Sequence, residues 1–441
     1  MSNNEEMNVA QSDSMVDALL QVSKLQYRMP PALGIVSRRN YREDYFQRST
    51  YNAGSTMILD CQTGSDFVDS TNSYLVFNLS TVGNPASLAS GSAFNIAQRV
   101  LIKTRTGREW SRVENSNLIT KFMQLYSCEE DWIKTLGQSQ GYTAGVPGKT
   151  VPTTGAVFVV PLWAVAPCFN RKELCPSQTM EGLRIEIYLE STPNVFRTNG
   201  SAPTNYSVDN PRIVWDCFDL GDAYKRKIAE MASRQGLNLL HKELFHTIVA
   251  AGSASQTSFN FDVKKAASKA LKCHIITRAQ QQIDTDAYDS FGSLAYDYSR
   301  IQAHIGADYF PQFPLESSVQ AGSNLNNLNE VYYQTMFAHS KTNQCYNPPS
   351  VTPEQYDSQN AVGEPDHKEN CMISINLNKS NVSDLQGYVV NTSRALIVDL
   401  QAAPRAGNFP VGNADVTRRL DVYLEHLRVL KQYVSNAEIR D

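Results

Sequence analysis

One segment of the chain resembles the end of a phosphate-binding loop. Gly145–Thr150 ends in Gly-Lys-Thr, but the pattern requires a glycine at position 143, where Thr143 stands. Such a loop must also open a helix so that its first amides face the anion, whereas Val151–Gly155 contains a proline and leads into a predicted strand. We therefore expect no nucleotide site here.

Histidine and acidic side chains recur at spacings that could bind a metal ion. His241 and His246 lie five residues apart, so they do not share one helical face, as the four-residue spacing of zinc proteases requires. Asp284, Asp286 and Asp289 could supply oxygen ligands, but the glycine and the final glutamate of a calcium-binding loop are missing. No serine elbow accompanies any histidine. The sequence therefore predicts no catalytic residue, no metal site and no cofactor.

Charge, cysteine content and hydropathy argue against further classes of protein. The 44 acidic and 40 basic side chains give a net charge of −4, whereas a general nucleic-acid binder needs a concentrated basic surface. The eight cysteines contain no Cys-x-x-Cys pair, so neither zinc nor a disulfide scaffold is indicated. The longest apolar stretch, Ala156–Phe169, is shorter than the ~20 residues that cross a bilayer. We expect no specific nucleic-acid binding and no transmembrane segment.

The elements that position these side chains belong to two β domains of similar size. A chain of 441 residues suits two domains of about 200 residues each. The 23 glycines and 19 prolines supply many turns, and 41% hydrophobic residues supply material for a core. No short-period repeat is present. The composition is typical of globular β domains.

Residues 1–48 are predicted to form an N-terminal arm. Residues 1–14 contain Glu5, Glu6 and Asp13 but no lysine or arginine, a composition that does not support independent folding. Met15–Leu25 has apolar residues at helical spacing and follows Ser14, a candidate N-cap. We expect this arm to contact neighbouring molecules or internal partners.

Residues 49–220 show strand-like alternation and form the first predicted domain. In Gly182–Leu189, apolar residues alternate with polar ones, which predicts a strand buried on one side. Ser55–Asp60 and Ser73–Asn78 look like a pair of antiparallel strands. Asn115–Leu136 has helical spacing instead and is interpreted as an inserted helix whose aromatic residues pack in the core. Further strands are predicted in 94–104, 108–113, 157–162 and 212–218.

A helical linker and a second β domain complete the chain. Residues 221–236 are charged, rich in helix formers and bounded by glycines, which favours a connecting helix. Its run Lys225, Arg226 and Lys227 is interpreted as a solvated surface. Residues 237–441 repeat the pattern of the first half, and two sets of at least six short strands fit two sandwiches. The predicted strands of this half lie in 244–250, 258–262, 271–277, 372–377, 395–400 and 420–424.

Several segments resemble stations of the double jelly-roll major capsid proteins of polinton-like viruses, virophages and adintoviruses. Ile301–Leu315 resembles the "IG..YFP..P" turn of that group, and a tyrosine-containing helical pattern ending at His339 follows it. Asp69–Leu79 resembles the "D..NSYL.F.L" strand, and Val159–Pro176 the "IPL…F….LP" segment. The resemblance covers about residues 55 to 435 and depends on the order of these motifs.

The resemblance implies an all-β fold of two consecutive eight-stranded jelly rolls with short helical insertions. It implies a major capsid protein, without enzymatic activity, whose homotrimers of pseudo-hexagonal outline tile the icosahedral shell of a DNA virus. The implied partners are the chain itself, neighbouring capsomers, and penton and minor or cement proteins. The implied location is the virion, assembled inside the host cell.

Three alternatives remain open at this point. They are a minor or vertex capsid protein, a β-sandwich carbohydrate-binding module and a carbohydrate-active β enzyme. A single sandwich in a different oligomer would favour the first two. Two carboxylates converging in a sugar-sized groove would favour the enzyme.

Overall fold

The computed structural model describes the chain between Val36 and Arg440 with gaps. Most residues of the described part belong to antiparallel strands. The described ranges are 36–143, 148–198, 202–250, 258–280, 283–284, 289–293, 297–316, 328–342, 348–356, 370–379, 387–403, 418–433 and 437–440.

Within the described residues, the first domain contains twelve strands. They are β1 (Val36–Tyr45), β2 (Thr50–Asn52), β3 (Thr56–Asp60), β4 (Phe67–Val82), β5 (Ala86–Leu88), β6 (Ala97–Lys103), β7 (Glu109–Glu114), β8 (Thr150–Val151), β9 (Ala156–Pro161), β10 (Arg184–Leu189), β11 (Phe196–Arg197) and β12 (Asn205–Leu220). One sheet has the order β1-β12-β4-β9, with β2 paired to β12, and a second has the order β3-β10-β6-β7. The short strands β11, β5 and β8 form a third sheet.

The second domain contributes ten strands to the part of the chain that the structure describes. They are β13 (Leu237–Ala250), β14 (Ser258–Val263), β15 (Ala267–Ala279), β16 (Asp297–Ile305), β17 (Asp308–Leu315), β18 (Ile373–Asn376), β19 (Tyr388–Val390), β20 (Leu396–Ala403), β21 (Arg418–Gln432) and β22 (Ala437–Arg440). Their sheets have the orders β13-β21-β15-β18 and β14-β20-β16-β17. Strands β19 and β22 pair with β15 and β21.

Both domains have the same topology. The main strands of the first domain, in chain order, are β1, β3, β4, β6, β7, β9, β10 and β12, and counted in this way they give the sheets 1-8-3-6 and 2-7-4-5. The corresponding strands of the second domain, β13 to β18, β20 and β21, give the same two orders. This interleaving of two antiparallel sheets is the jelly roll. The predicted fold of two consecutive eight-stranded jelly rolls is confirmed.

Helices occupy the connections between strands. The helix α1 (Ser116–Ser127) is inserted between β7 and β9, and α8 (Asn329–Ala338) is inserted between β17 and β18. The helix α7 (Asp222–Arg234) links the two jelly rolls. The helices are α1 (Ser116–Ser127), α2 (Glu130–Lys134), α3 (Leu136–Ser139), α4 (Leu162–Val165), α5 (Ser177–Met180), α6 (Thr192–Val195), α7 (Asp222–Arg234), α8 (Asn329–Ala338) and α9 (Pro353–Tyr356), with 3₁₀ turns at Ala93–Ile96 and Pro167–Phe169.

The cores follow from alternating side chains. In β10, Ile185 and Ile187 are buried between the sheets of the first jelly roll, as the sequence predicted, but Glu186 on the other side is only 6% exposed because it pairs with Lys103. Burial of such apolar surface contributes roughly 25 cal/mol per Å². The alternation therefore predicts the strand correctly but not the burial of Glu186.

Three details differ from the sequence predictions. Strand β1 lies within the range assigned to the N-terminal arm, yet it pairs with β12 along its whole length. The predicted strand pair is wrong, because β3 pairs with β10 and β4 with β12 and β9, so the two belong to opposite sheets. The predicted helical segment Asn115–Leu136 is divided, since Leu136 begins the separate helix Leu136–Ser139 and is 67% exposed. The predicted helix Met15–Leu25 lies outside the described residues.

Trp110 provides a test of the packing between the jelly rolls. Its completely buried ring contacts Phe169 and His241, at 6.2 and 5.8 Å between ring centroids. Trp110→Ala should lower the free energy of unfolding in urea by about 3–5 kcal/mol, because it leaves a large cavity. Trp163→Ala, at a half-buried position, is the control and should cost less. Equal losses of unfolding free energy in both variants would contradict the packing role assigned to Trp110.

Candidate assembly surfaces

The two jelly rolls meet where β7 packs against β13. The indole Nε1 of Trp110 donates to Nδ1 of His241 at 3.4 Å. The backbone N–H of Arg112 donates to Oε1 of Glu243 at 2.8 Å. Both strands are sheet edges, the fifth strand of one jelly roll and the first strand of the other. The junction therefore joins two different edges of the same type of sandwich.

Helix α1 extends this junction. It belongs to the first jelly roll by sequence, but Leu118 and Phe122 are completely buried in the core of the second. The hydroxyl of Tyr126 donates to the carbonyl of Asn370 at 2.6 Å and accepts from the N–H of Met372 at 3.2 Å. The predicted packing role of the aromatic residues in this segment is confirmed.

Asp421 on β21 is the centre of a buried charged cluster. Its carboxylate lies 2.7 Å from Nη2 of Arg278 and 3.0 Å from Nε2 of His246. Arg419 and Asn115 approach it to 3.2 and 3.3 Å. Burial alone would raise the pKa of Asp421, but the cations and hydrogen bonds outweigh burial and hold the pKa below its ordinary value. The ionised carboxylate thus ties Asn115 of the first jelly roll to the second.

Glu425 is the centre of a second cluster four residues further along β21. One carboxylate oxygen lies 3.1 Å from Nζ of Lys242, and the other lies 3.9 Å from Nζ of Lys272. Burial would raise the pKa of Glu425, but the two lysines and His274 outweigh burial and hold this pKa well below its ordinary value. Glu425 is therefore ionised although it is 2% exposed.

Ser374, His274 and Glu425 form a hydrogen-bonded chain like that of a catalytic triad. His274 Nδ1 lies 2.8 Å from Ser374 Oγ, and His274 Nε2 lies 3.4 Å from Glu425 Oε2. In serine hydrolases Nε2 faces the serine instead. Ser374 is also 2% exposed, and its hydroxyl lies 3.2 Å from Nε2 of His339. The arrangement therefore supports a structural hydrogen-bond chain.

The structure separates the candidate metal ligands. His241 and His246 lie on one strand and contact different partners, Trp110 and Asp421. Asp284 donates its N–H to Asn194, Asp286 lies outside the described residues, and Asp289 accepts from the N–H groups of Ser90 and Phe291. No group of three potential metal ligands occurs in the part of the chain that the structure describes.

The other candidate segments have plain structural roles. Of the phosphate-loop candidate, Gly148–Thr150 is described, and Thr150 begins strand β8 rather than a helix. On α7, Lys225 forms an ion pair with Asp219, while Arg226 and Lys227 are exposed. Among the described residues, no helix has the length and apolar character needed to span a membrane.

Exposed aromatic side chains lie on two edge strands. Tyr309 and Phe313 on β17 are 51% and 77% exposed, and Tyr41 and Tyr45 on β1 are both 61% exposed. Each of these strands pairs on one side only within the described ranges. Exposed apolar surface rimmed by polar residues is typical of interaction sites. These two edges are therefore the candidate surfaces for assembly.

Similar folds occur in solved capsid structures. The match to the Faustovirus major capsid protein covers 98% of this chain and 98% of that protein, with a TM-score of 0.56 and 8% sequence identity. The match to a chain of the PBCV-1 virus capsid covers 94% of this chain and 99% of that chain, with a TM-score of 0.61 and 11% sequence identity. The Sputnik virophage structure covers 95% and 92%, with a TM-score of 0.58 and 9% identity. No family model and no curated sequence matches the chain.

His274 predicts how stability depends on pH. Burial lowers its pKa below the ordinary value of 6.5, so the ring is neutral in the folded protein but protonated in the unfolded chain below that pH. Lowering the pH from about 7 to about 5.5 should therefore lower the free energy of unfolding, by up to about 1.4 kcal/mol per pH unit for this group. Urea unfolding at each pH measures the effect.

His274→Gln should reduce this dependence by the contribution of one group, because glutamine takes up no proton. His339, whose pKa burial also lowers, keeps its own contribution in this variant. The contribution assigned to His274 would be contradicted if the His274→Gln variant lost stability with falling pH as steeply as the unsubstituted protein.

Proposed function

We propose that this chain is the major capsid protein of an icosahedral DNA virus and self-assembles as pseudo-hexameric trimers. The observation that carries the proposal is the junction between the jelly rolls. Within one chain, β7, the fifth strand of the first jelly roll, packs against β13, the first strand of the second. The corresponding strands left over are β17 and β1, and both carry exposed aromatic side chains.

Repetition of the junction would close a ring. Suppose that β17 of one copy packs against β1 of the next in the same way as β7 packs against β13. Each jelly roll is then related to the next one by the same rotation, within a chain and between chains. Three chains then present six similar jelly rolls around one axis, and a closed ring uses complementary edges pairwise. Contacts of this kind bury roughly 2,000 Å² or more. The unpaired edges of the described monomer are consistent with such a partner.

The inserted helices support the same arrangement. Helix α1 packs on its own jelly roll and also enters the core of the other. Its counterpart α8 packs on its own jelly roll through Val331 and Met336, whereas Tyr333 and Phe337 are 58% and 37% exposed. By analogy with α1, we assign these two side chains to the first jelly roll of the neighbouring copy.

The assignment carries further proposals about place and partners. The protein acts in the virion as a non-enzymatic shell component, and its trimers contact neighbouring capsomers, penton proteins and minor proteins. We propose 221–236 as the linker and 237–441 as the second jelly roll. The first jelly roll includes β1, so it begins before residue 49, the boundary that the sequence pattern predicts between the arm (1–48) and this domain (49–220). The likeness in fold to solved capsid structures supports this assignment.

Charged substitutions on the two edges test the proposal. Phe313→Asp on β17 and Tyr41→Asp on β1 should each shift the protein from trimer to monomer, because either places a charge in a desolvated contact. Light scattering after size exclusion should then give roughly one third of the trimer mass. Circular dichroism should remain that of the folded protein, since both side chains are exposed.

Tyr224→Asp is the matched control. Tyr224 is an aromatic residue of the linker helix, is 42% exposed and lies on neither edge, so its substitution should leave the trimer intact. Trimers of unchanged stability in both edge variants, or equal loss of trimers in all three variants, would contradict the edge assignment.

A further inference from the structure

A cavity of about 850 Å³ lies between the two jelly rolls. It is bounded by the start of β4, by α1 and by the segment around Arg171 on one side, and by β13, β15 and β21 on the other. Its apolar lining includes Val113, Ile119, Met123 and Leu240. This volume lies within the usual range of ligand sites.

Arg171 places a buried cation at this cavity. Its side chain is 4% exposed, and neither Nε nor Nη1 has a hydrogen-bond partner among the described residues. The carboxylate of Glu173 lies 3.8 Å from Nη2, but Glu173 is 75% exposed. A buried guanidinium without hydrogen-bonded anions is costly, and its planar donors match a carboxylate. Arg171 therefore indicates that an anionic group occupies the cavity.

The charges of the lining agree with this conclusion. Its basic residues outnumber its acidic residues, and one of those acids, Glu425, is already engaged by two of the lysines. The cavity thus retains an excess of positive charge. The charged lining residues are Arg171, Lys172, Lys242 and Lys272 against Asp69 and Glu425.

We propose that the cavity binds the acidic N-terminal segment, residues 1–14, of the same chain. This segment carries Glu5, Glu6 and Asp13 and no lysine or arginine, and it also contains apolar residues that suit the apolar walls. Charge and hydropathy of segment and cavity are therefore complementary. The proposal holds in any oligomeric state and does not depend on the proposed function.

The chain path allows this contact. Asp69, which lines the cavity, lies opposite Asp216 of β12, and β1 pairs with the other side of β12. Tyr41 of β1, which lies opposite Asp216, is therefore about 10 Å from Asp69, two strand spacings away, and Val36 lies about 17 Å further along β1. The residues between Asp13 and Val36 can extend over roughly 70 Å, which is more than the contact requires.

Carbodiimide cross-linking of the full-length protein tests the proposal, because this reagent joins only amines and carboxylates that are already in contact. Peptide mass spectrometry should find Glu5, Glu6 or Asp13 linked to Lys172 or Lys272. Cross-links of the segment exclusively to lysines outside the cavity, or none at all, would overturn it.

Two variants identify the cavity residues involved. Lys172→Gln changes an exposed lining residue and should lower the total yield of cavity cross-links, and Arg171→Met should lower the yield to Lys272 about tenfold, as loss of a charge-assisted hydrogen bond implies. Lys227→Gln, on the exposed surface of α7, is the matched control and should change nothing. Unchanged yields in both cavity variants would overturn the proposal.

Inorganic phosphate separates the proposed segment from a free anion. Phosphate should compete only weakly with the covalently attached segment. The triple variant Glu5→Gln, Glu6→Gln, Asp13→Asn removes the negative charges of the segment. If millimolar phosphate binds the cavity of the unsubstituted protein and of this variant with the same affinity, the occupant is a small anion and the assignment to the segment fails.

Discussion

The packing of β7 against β13 is the contact on which the arrangement of the two jelly rolls depends. Without this contact, the two sandwiches would be connected only by the linker helix and by α1, which enters the core of the second jelly roll. The buried ring of Trp110 lies between Phe169 of its own domain and His241 of the other. Because the joined strands are sheet edges, the contact also covers backbone groups that would otherwise attract other chains.

Buried charges give this packing its specificity. Asp421 and Glu425 lie on the same strand, each surrounded by cations from neighbouring elements. A buried ion pair contributes little net stability over an apolar pair, but removing one partner is costly. The clusters therefore restrict how β13, β15 and β21 pair within the second jelly roll, and Asn115 connects the Asp421 cluster to the first jelly roll. Alternative registers would leave carboxylates without partners in a dry interior.

The sequence predicts the local elements well and their long-range contacts poorly. Alternation in Gly182–Leu189 and helical spacing in α1 correctly predict a strand and a helix, since both depend on neighbouring residues. Strand β1 lacks apolar alternation, because many of its side chains are charged and exposed, so its sequence does not predict a strand. The Asp421 cluster joins residues 143 positions apart, and its only local signal is an acidic residue within an apolar strand.

Electron microscopy of the purified full-length protein is the most direct test of the central claim that one junction repeats within and between chains. The account predicts a homogeneous particle of three chains with a hexagonal outline, in which six similar jelly rolls surround one axis. A well-folded monomer, or an oligomer without threefold symmetry, would contradict the account.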